Sequence, residues 1–373
     1  MKSPKRTTMS NNDDSYVEFK LDSGRVLVRR ESIPRLKSVD MFAFDCDGTL
    51  IDTEESFVLA TFRTSEKMLE VLHGREIETG RQGRQMLSAL RQTGLYNNDW
   101  DSAFAIVCFV SMAAAEYDGR SRTAPAAEIM DRANALVREF TASEGSKGIE
   151  SVKELMMRHY SSLSRQDDYS RIMHYMNYPN MPDQSPLSAL YLRLYLGDSG
   201  TAGGGYGSAH RWPDGLIGNE HPLVEARTMQ SIVSLSGGRK AVILTGNKRS
   251  FVAEALGGLT NYFDMDSSLF ITDMEESRAE ELELFRKPSE AGLLRAVERT
   301  NSTCVLYTGD SGEDMLMVFA ARKKGVHALF TGVTGNTPDP ESFRAFFMEK
   351  GADAVIESVN QLPETLIRLR SLS

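Results

Sequence analysis

Met41-Phe42-Ala43-Phe44-Asp45-Cys46-Asp47-Gly48-Thr49-Leu50-Ile51-Asp52-Thr53 joins a short apolar run to a pair of carboxylates. Met41 to Phe44 are enough for one buried parallel strand. A strand that ends in Asp45 and Asp47 places charge where an open α/β sheet holds its ligands, at the carboxyl ends of its strands. The pair suits two roles, since one carboxylate can attack as a nucleophile and the other can shuttle a proton. Alone, Asp-x-Asp-Gly also describes a turn in which Gly48 supplies a positive φ. Its meaning therefore depends on what accompanies it. Cys46, between the acids, reads as a small buried hydrophobe on the alternate face of the strand rather than a catalytic thiol.

Outward from this stretch the pattern divides. Residues 1–15 are polar, and Tyr16 to Leu21 and Val26 to Arg30 flank the turn Asp22-Ser23-Gly24, which predicts a small N-terminal hairpin. From Ser56 to about Leu196 helical periodicity dominates, as in Phe57 to Leu72, Arg81 to Gln92, Asp101 to Glu116, Ala126 to Phe140, Ile149 to Tyr160 and Leu187 to Leu196. A glycine-rich loop follows, and a helix is expected over Pro222 to Leu235. Beyond it strands and helices alternate to the end of the chain, which indicates a parallel sheet covered on both faces. The expected architecture is a doubly wound α/β core with a large inserted all-helical domain. Residues 1–39 form the extension with its hairpin, 40–55 plus 223–373 the core, and 56–222 the helical insert.

The composition fits that division. The 373 residues suffice for about two domains, and 41% hydrophobic with 25% charged residues is ordinary for a soluble globular protein. A formal net charge of -9 argues against a nucleic-acid binder, which needs a basic footprint. It leaves a phosphorylated substrate open, because a metal ion can invert the field inside one pocket. Cys46, Cys108 and Cys304 are odd in number and far apart, as expected for reduced thiols in a cytoplasmic protein. The basic N-terminus has no apolar run behind it, and Ala103 to Ala115 is too short to cross a bilayer, so no membrane association is expected. Nothing in the sequence fixes an oligomeric state.

Three further groups join the opening pair, each after a strand of the C-terminal half. Thr245-Gly246-Asn247 ends an apolar run with a hydroxyl and backbone N–H groups able to hold phosphate oxygens. Lys287 precedes Pro288 and supplies a compact positive charge, useful for a phosphate or to steady the nucleophile. Asp310 and Asp314, in Gly309-Asp310-Ser311-Gly312-Glu313-Asp314, are the hard oxygen ligands that Mg²⁺ prefers. Each alone reads as a strand end, a solvated lysine or a helix cap. Four in this order, each at a strand's carboxyl end, form a constellation.

With these residues in view the sequence resembles the haloacid dehalogenase (HAD) superfamily, in its phosphoglycolate phosphatase and β-phosphoglucomutase branch. The likeness covers about Asp40 to Thr53 and Arg239 to Leu366, and the helical insert falls where that branch carries its cap. The resemblance implies that Asp45 attacks phosphorus to form an aspartyl-phosphate, while Asp47 protonates the leaving oxygen and later deprotonates a water. It implies Mg²⁺ held by Asp45, the Asp47 carbonyl, Asp310 and Asp314, with Thr245, Gly246, Asn247 and Lys287 binding phosphoryl oxygens. The implied activity is Mg²⁺-dependent hydrolysis of a small phosphorylated metabolite. A phosphomutase is the alternative within the family, and a non-catalytic ligand-binding protein the alternative outside it. Asp47 sets the chain apart from branches that lack the second acid, and Cys46 from pumps that carry Lys after the nucleophile.

The insert carries the candidates for substrate contact. Asn97-Asn98-Asp99-Trp100-Asp101 is a dense polar and aromatic run, expected either to begin a helix or to face the substrate through Asn98, Asp99 and Trp100. Gly203 to Trp212 lacks the ending of a P-loop and reads as a connector, or as a lid bringing His210 or Arg211 to an anionic substrate. Arg81, Arg84 and Arg91 are expected on a solvated helix face.

Overall fold

The computed structural model describes residues 15–96, 98–117, 124–143, 145, 148–202, 214–270, 285–337 and 339–372. In chain order its strands are Tyr16–Leu21 (β1), Gly24–Arg29 (β2), Met41–Phe44 (β3), Ile51–Asp52 (β4), His221–Pro222 (β5), Val242–Thr245 (β6), Leu269–Phe270 (β7), Val305–Gly309 (β8), Ala328–Val333 (β9) and Ala354–Ile356 (β10). All but β4 and β5 form one sheet in the order β1-β2-β10-β9-β8-β3-β6-β7. From β10 to β7 the neighbours run parallel. The chain begins this parallel part in the middle, at β3, then lays β6 and β7 on one side and β8 to β10 on the other. The switch point of the doubly wound sheet therefore lies at the carboxyl ends of β8, β3 and β6.

Alternation along these strands explains why both sheet faces are covered. Phe42, Phe44, Ile243, Leu306 and Leu329 enter one apolar cluster, while Met41, Ala43, Val242, Val305, Tyr307 and Phe330 enter the other. The helices, in chain order, are Ile33–Lys37 (α1), Leu59–His73 (α2), Gly80–Gln92 (α3), Asp99–Ala115 (α4), Ala126–Ala142 (α5), Ile149–Ser162 (α6), Gln166–Met176 (α7), Pro186–Ala202 (α8), Ala226–Leu235 (α9), Arg249–Leu256 (α10), Ala291–Thr300 (α11), Gly312–Lys323 (α12), Pro340–Lys350 (α13) and Leu362–Ser371 (α14). Met229 of α9, Val252 of α10 and Leu366 of α14 cover the first face. Leu293 of α11, Val318 of α12 and Phe347 of α13 cover the second.

Helices α2 to α8 lie in the chain between β4 and β5. They share an apolar cluster of their own, centred on α4, which is buried from Ser102 to Ala115. A helix apolar on every side must be enclosed by others, and α2, α5 and α6 enclose this one. The stretch expected as helix from Pro222 begins differently. His221–Pro222 is a strand, and it pairs antiparallel with β4 through Ile51↔Pro222 and Asp52↔His221. Strands of two residues carry no periodicity, which is why the pattern missed them. Helix α7 was also not anticipated, and α8 continues past Leu196 with a break at Gly197 (φ 81, ψ 172). No helix among the described residues is long and apolar enough to cross a membrane.

The N-terminal hairpin is more than a decoration, because β2 pairs antiparallel with β10 and extends the central sheet. A buried carboxylate secures this edge. Asp353 accepts hydrogen bonds from Ser32 Oγ at 2.5 Å and Phe330 N at 2.8 Å, and it pairs with Arg322 and, at 3.3 Å, with Arg35. Its backbone carbonyl accepts from Arg29 N of β2 at 2.9 Å. Removing one member of such a buried network strands the others. Asp353→Ala should cost about 3–5 kcal/mol of stability, to be read from chemical denaturation. An unchanged denaturation midpoint would show that the network holds nothing together.

Candidate active site

The switch point collects the carboxylates. Asp45 follows β3 directly, and its N–H donates to Thr308 O of β8 at 2.9 Å, so the sheet ladder fixes its position. Asp310 follows β8. Asp314 lies one turn into α12 and belongs to a capping box. Ser311 Oγ accepts from Asp314 N at 3.1 Å, while Asp314 Oδ2 accepts from Ser311 N at 3.2 Å. The groups that start the helix thereby also aim Asp314 Oδ1, which accepts from Tyr307 Oη at 2.9 Å. Oxygens of Asp45, Asp310 and Asp314 all lie within 4.8 Å of one another.

Lys287 is the cation among them. Its Nζ stands 2.5 Å from Asp45 Oδ1 and 2.7 Å from Asp314 Oδ1, with 8% of the side chain exposed. Burial alone would lower its pKa, but the carboxylates of Asp314 and Asp45 outweigh burial and hold it well above the usual lysine value. The acids respond in the opposite sense. Burial, reinforced by the charge of Asp314, pushes Asp45 up to about 7. Burial and the charge of Asp45 raise Asp310 well above the carboxylate range. One ammonium against three carboxylates leaves an excess of negative charge. Hard oxygen donors at this spacing, with that excess, fit a divalent cation of the Mg²⁺ kind.

Asp47 stands apart from the cluster, on the side of β6. Asn247 Nδ2 donates to its Oδ1 at 3.2 Å, and Asn247 N donates to Thr245 Oγ1 at 3.1 Å. Burial first, and then the charge of Glu220, push Asp47 up to about 8. Gly48 allows the turn between the two acid sites. It has φ +76, and a Cβ there would lie 2.3 Å from Asp310 Oδ2, so only glycine fits. Cys46 is buried, and burial raises its thiol pKa well above the usual value, in keeping with a packing role.

The structure thus brings Asp45, Asp47, Thr245, Gly246, Asn247, Lys287, Asp310 and Asp314 to one end of the sheet. In the insert, Asn98 caps α4 by accepting from Trp100 N at 2.9 Å. Asp99 turns inward to pair with Arg91 Nη2 at 2.8 Å, and its charge is felt at Asp47. Trp100 packs edge-on to Tyr191, with ring centroids 6.3 Å apart. His210 and Arg211 lie outside the described residues. Arg91 corrects the expectation of a solvated face. Its side chain is only 14% exposed, whereas Arg84 is 44% exposed and pairs with Glu54. Glu220 was not anticipated either. It is buried, accepts from Tyr195 Oη at 3.0 Å, and follows a loop without any periodic signal.

No family model matches the chain, and no curated protein sequence matches it. Among solved structures, a phosphatase from Thermococcus thioreducens aligns with a TM-score of 0.43 at 20% identity, over 84% of this chain and 100% of that one. A haloacid dehalogenase-like hydrolase from Bacteroides fragilis aligns with a TM-score of 0.34 at 18% identity, over 87% of this chain and 99% of that one. Scores this low carry no weight for function, and the chemistry is read from the side chains themselves.

The raised acids have a consequence for stability. A carboxyl titrating near 4 in the unfolded chain and at about 7 or 8 in the folded, metal-free protein binds more protons when folded. Stability is then fully present below about pH 4 and is lost as pH rises toward 7 to 8, by up to about 1.4 kcal/mol per pH unit for each such group. Urea denaturation of chelator-treated protein from pH 4 to 8 should show this decline. A rise in stability over that window would contradict the arrangement.

Proposed function

We propose that the chain is a Mg²⁺-dependent phosphatase of the HAD type, acting on a small phosphorylated metabolite. The observation that carries this reading is Lys287 Nζ shared between Asp45 and Asp314 at a sheet's switch point, with Asp310 in the same cluster. Buried carboxylates gathered around one ammonium are costly to fold and have an evident use in phosphoryl transfer.

In this reading Asp45 attacks phosphorus in line. A bond forms from its carboxylate oxygen to phosphorus as the bond to the leaving oxygen breaks. Asp47 delivers the proton that the leaving oxygen takes up. At neutral pH it holds that proton, because burial and Glu220 keep its pKa at about 8. Asn247 Nδ2 orients the carboxyl group. In the second half Asp47 takes a proton from water, whose oxygen attacks phosphorus and returns Asp45 to the carboxylate as inorganic phosphate leaves. Lys287, the Thr245 hydroxyl and the backbone at Gly246 and Asn247 bind phosphoryl oxygens. Asp45, Asp310, Asp314 and the Asp47 carbonyl would hold Mg²⁺, which when bound spreads the negative charge that develops on the phosphoryl group. The insert acts as the cap, with Asn98, Asp99 and Trp100 on its substrate side.

Asp45→Asn should lower phosphate release by at least about 10³-fold with the circular dichroism spectrum and melting temperature preserved. Near-normal turnover would remove Asp45 as nucleophile. Phosphate release from a panel of sugar phosphates, phosphorylated short acids, nucleotides and amino-alcohol phosphates should also stop on chelation and return with added Mg²⁺.

A further inference from the structure

We propose that Arg91, carried by the helical insert, contacts the phosphoryl group in transfer, its guanidinium donating to an equatorial oxygen. The inference rests on the phosphatase reading and adds to it a residue that the core motifs do not contain.

The end of α3 is seated on the acid loop. The carbonyls of Gln92 and Arg91 lie 3.1 and 3.3 Å from where a Cβ on Gly312 would stand, at the first turn of α12. Gln92 Nε2 donates to Ser342 Oγ of α13 at 2.8 Å. This seat places Arg91 beside the turn that carries Asp310 and Asp314.

Among the described residues the guanidinium is held at one corner. Nη2 is fixed by Asp99 at 2.8 Å. Nε is fully buried and makes no hydrogen bond. A buried N–H without a partner calls for an explanation, and an absent ligand is one. A planar fork with one arm clamped and donors in reserve is pre-organised for an anionic oxygen.

The geometry of displacement supplies that oxygen. In-line attack leaves three phosphoryl oxygens around the equator, where charge develops. Lys287 occupies the Asp45 and Asp314 side of this rim, and the seat of α3 on Gly312 sets Arg91 on the side of Asp310. Asp99, at the start of α4, acts as a positioning residue.

The test uses the full chain with Mg²⁺, p-nitrophenyl phosphate as substrate, and orthovanadate and inorganic phosphate as inhibitors. Arg91→Gln should lower kcat by about 100-fold with KM within about threefold. It should weaken orthovanadate inhibition at least about tenfold more than phosphate inhibition, as loss of a transition-state contact requires. Arg91→Lys should recover part of kcat, and Asp99→Asn should fall between wild type and Arg91→Gln. If Arg91→Gln does not fold, Arg91→Lys decides, with a kcat loss of at least about fivefold expected. An active wild type whose folded Arg91 variant keeps kcat within threefold, or loses both inhibitors equally, overturns this inference alone. A wild type with neither turnover nor orthovanadate binding overturns the phosphatase reading and this inference with it.

Discussion

A single ammonium, Lys287 Nζ, stands between Asp45 and Asp314 in a buried corner of the sheet. Much of the local structure is arranged so that this corner can exist. The ladder bond from Asp45 N to Thr308 O fixes one acid. The capping box of Ser311 fixes another. Tyr307 reaches across from β8 to occupy the oxygen of Asp314 that also faces the lysine. Like charges this close in a low-dielectric interior repel strongly, and one lysine does not offset three carboxylates. The core therefore holds its acids at a cost in stability, as functional sites commonly do.

The surrounding architecture divides the labour. The parallel sheet supplies a floor built from strands that are buried on both faces in apolar clusters. The insert has a separate apolar core around α4. The two meet at α3 on α12, and again where Phe251 of α10 packs with Tyr191 and Tyr195 of α8. Both contacts fall on helices, α12 and α10, that begin beside the acid cluster and the Thr245-Gly246-Asn247 turn.

How legible this was in the sequence depended on how local the information is. Asp45, Thr245 and Asp310 were readable because each ends or follows a short apolar run, and strand ends converge in any doubly wound sheet, whereas Lys287 lies between β7 and α11 rather than at a strand end and was marked only by the Pro288 after it. The core helices and strands carried clear periodicity, so the architecture could be stated beforehand. Arg91 and Glu220 were not readable. Arg91 lies on a helix with exposed arginines, and its pairing with Asp99 and the seat of α3 on Gly312 are tertiary contacts that no local pattern shows. Glu220 ends an aperiodic stretch, and its hydrogen-bond donor Tyr195 lies 25 residues before it in the sequence. The edge role of the hairpin was hidden for the same reason, since the β2–β10 pairing joins opposite ends of the chain.

The small antiparallel pair of β4 and β5 has a wider consequence. The chain leaves the core through Ile51–Asp52 and returns through His221–Pro222, bonded side by side. The core therefore meets the same two adjacent strands whatever lies beyond them. Closing a longer loop costs entropy that grows only as the logarithm of its length. An insertion at this point can lengthen, gain helices or be exchanged while the floor of acids stays where it is. The molecule is in this sense a fixed sheet with a replaceable helical storey.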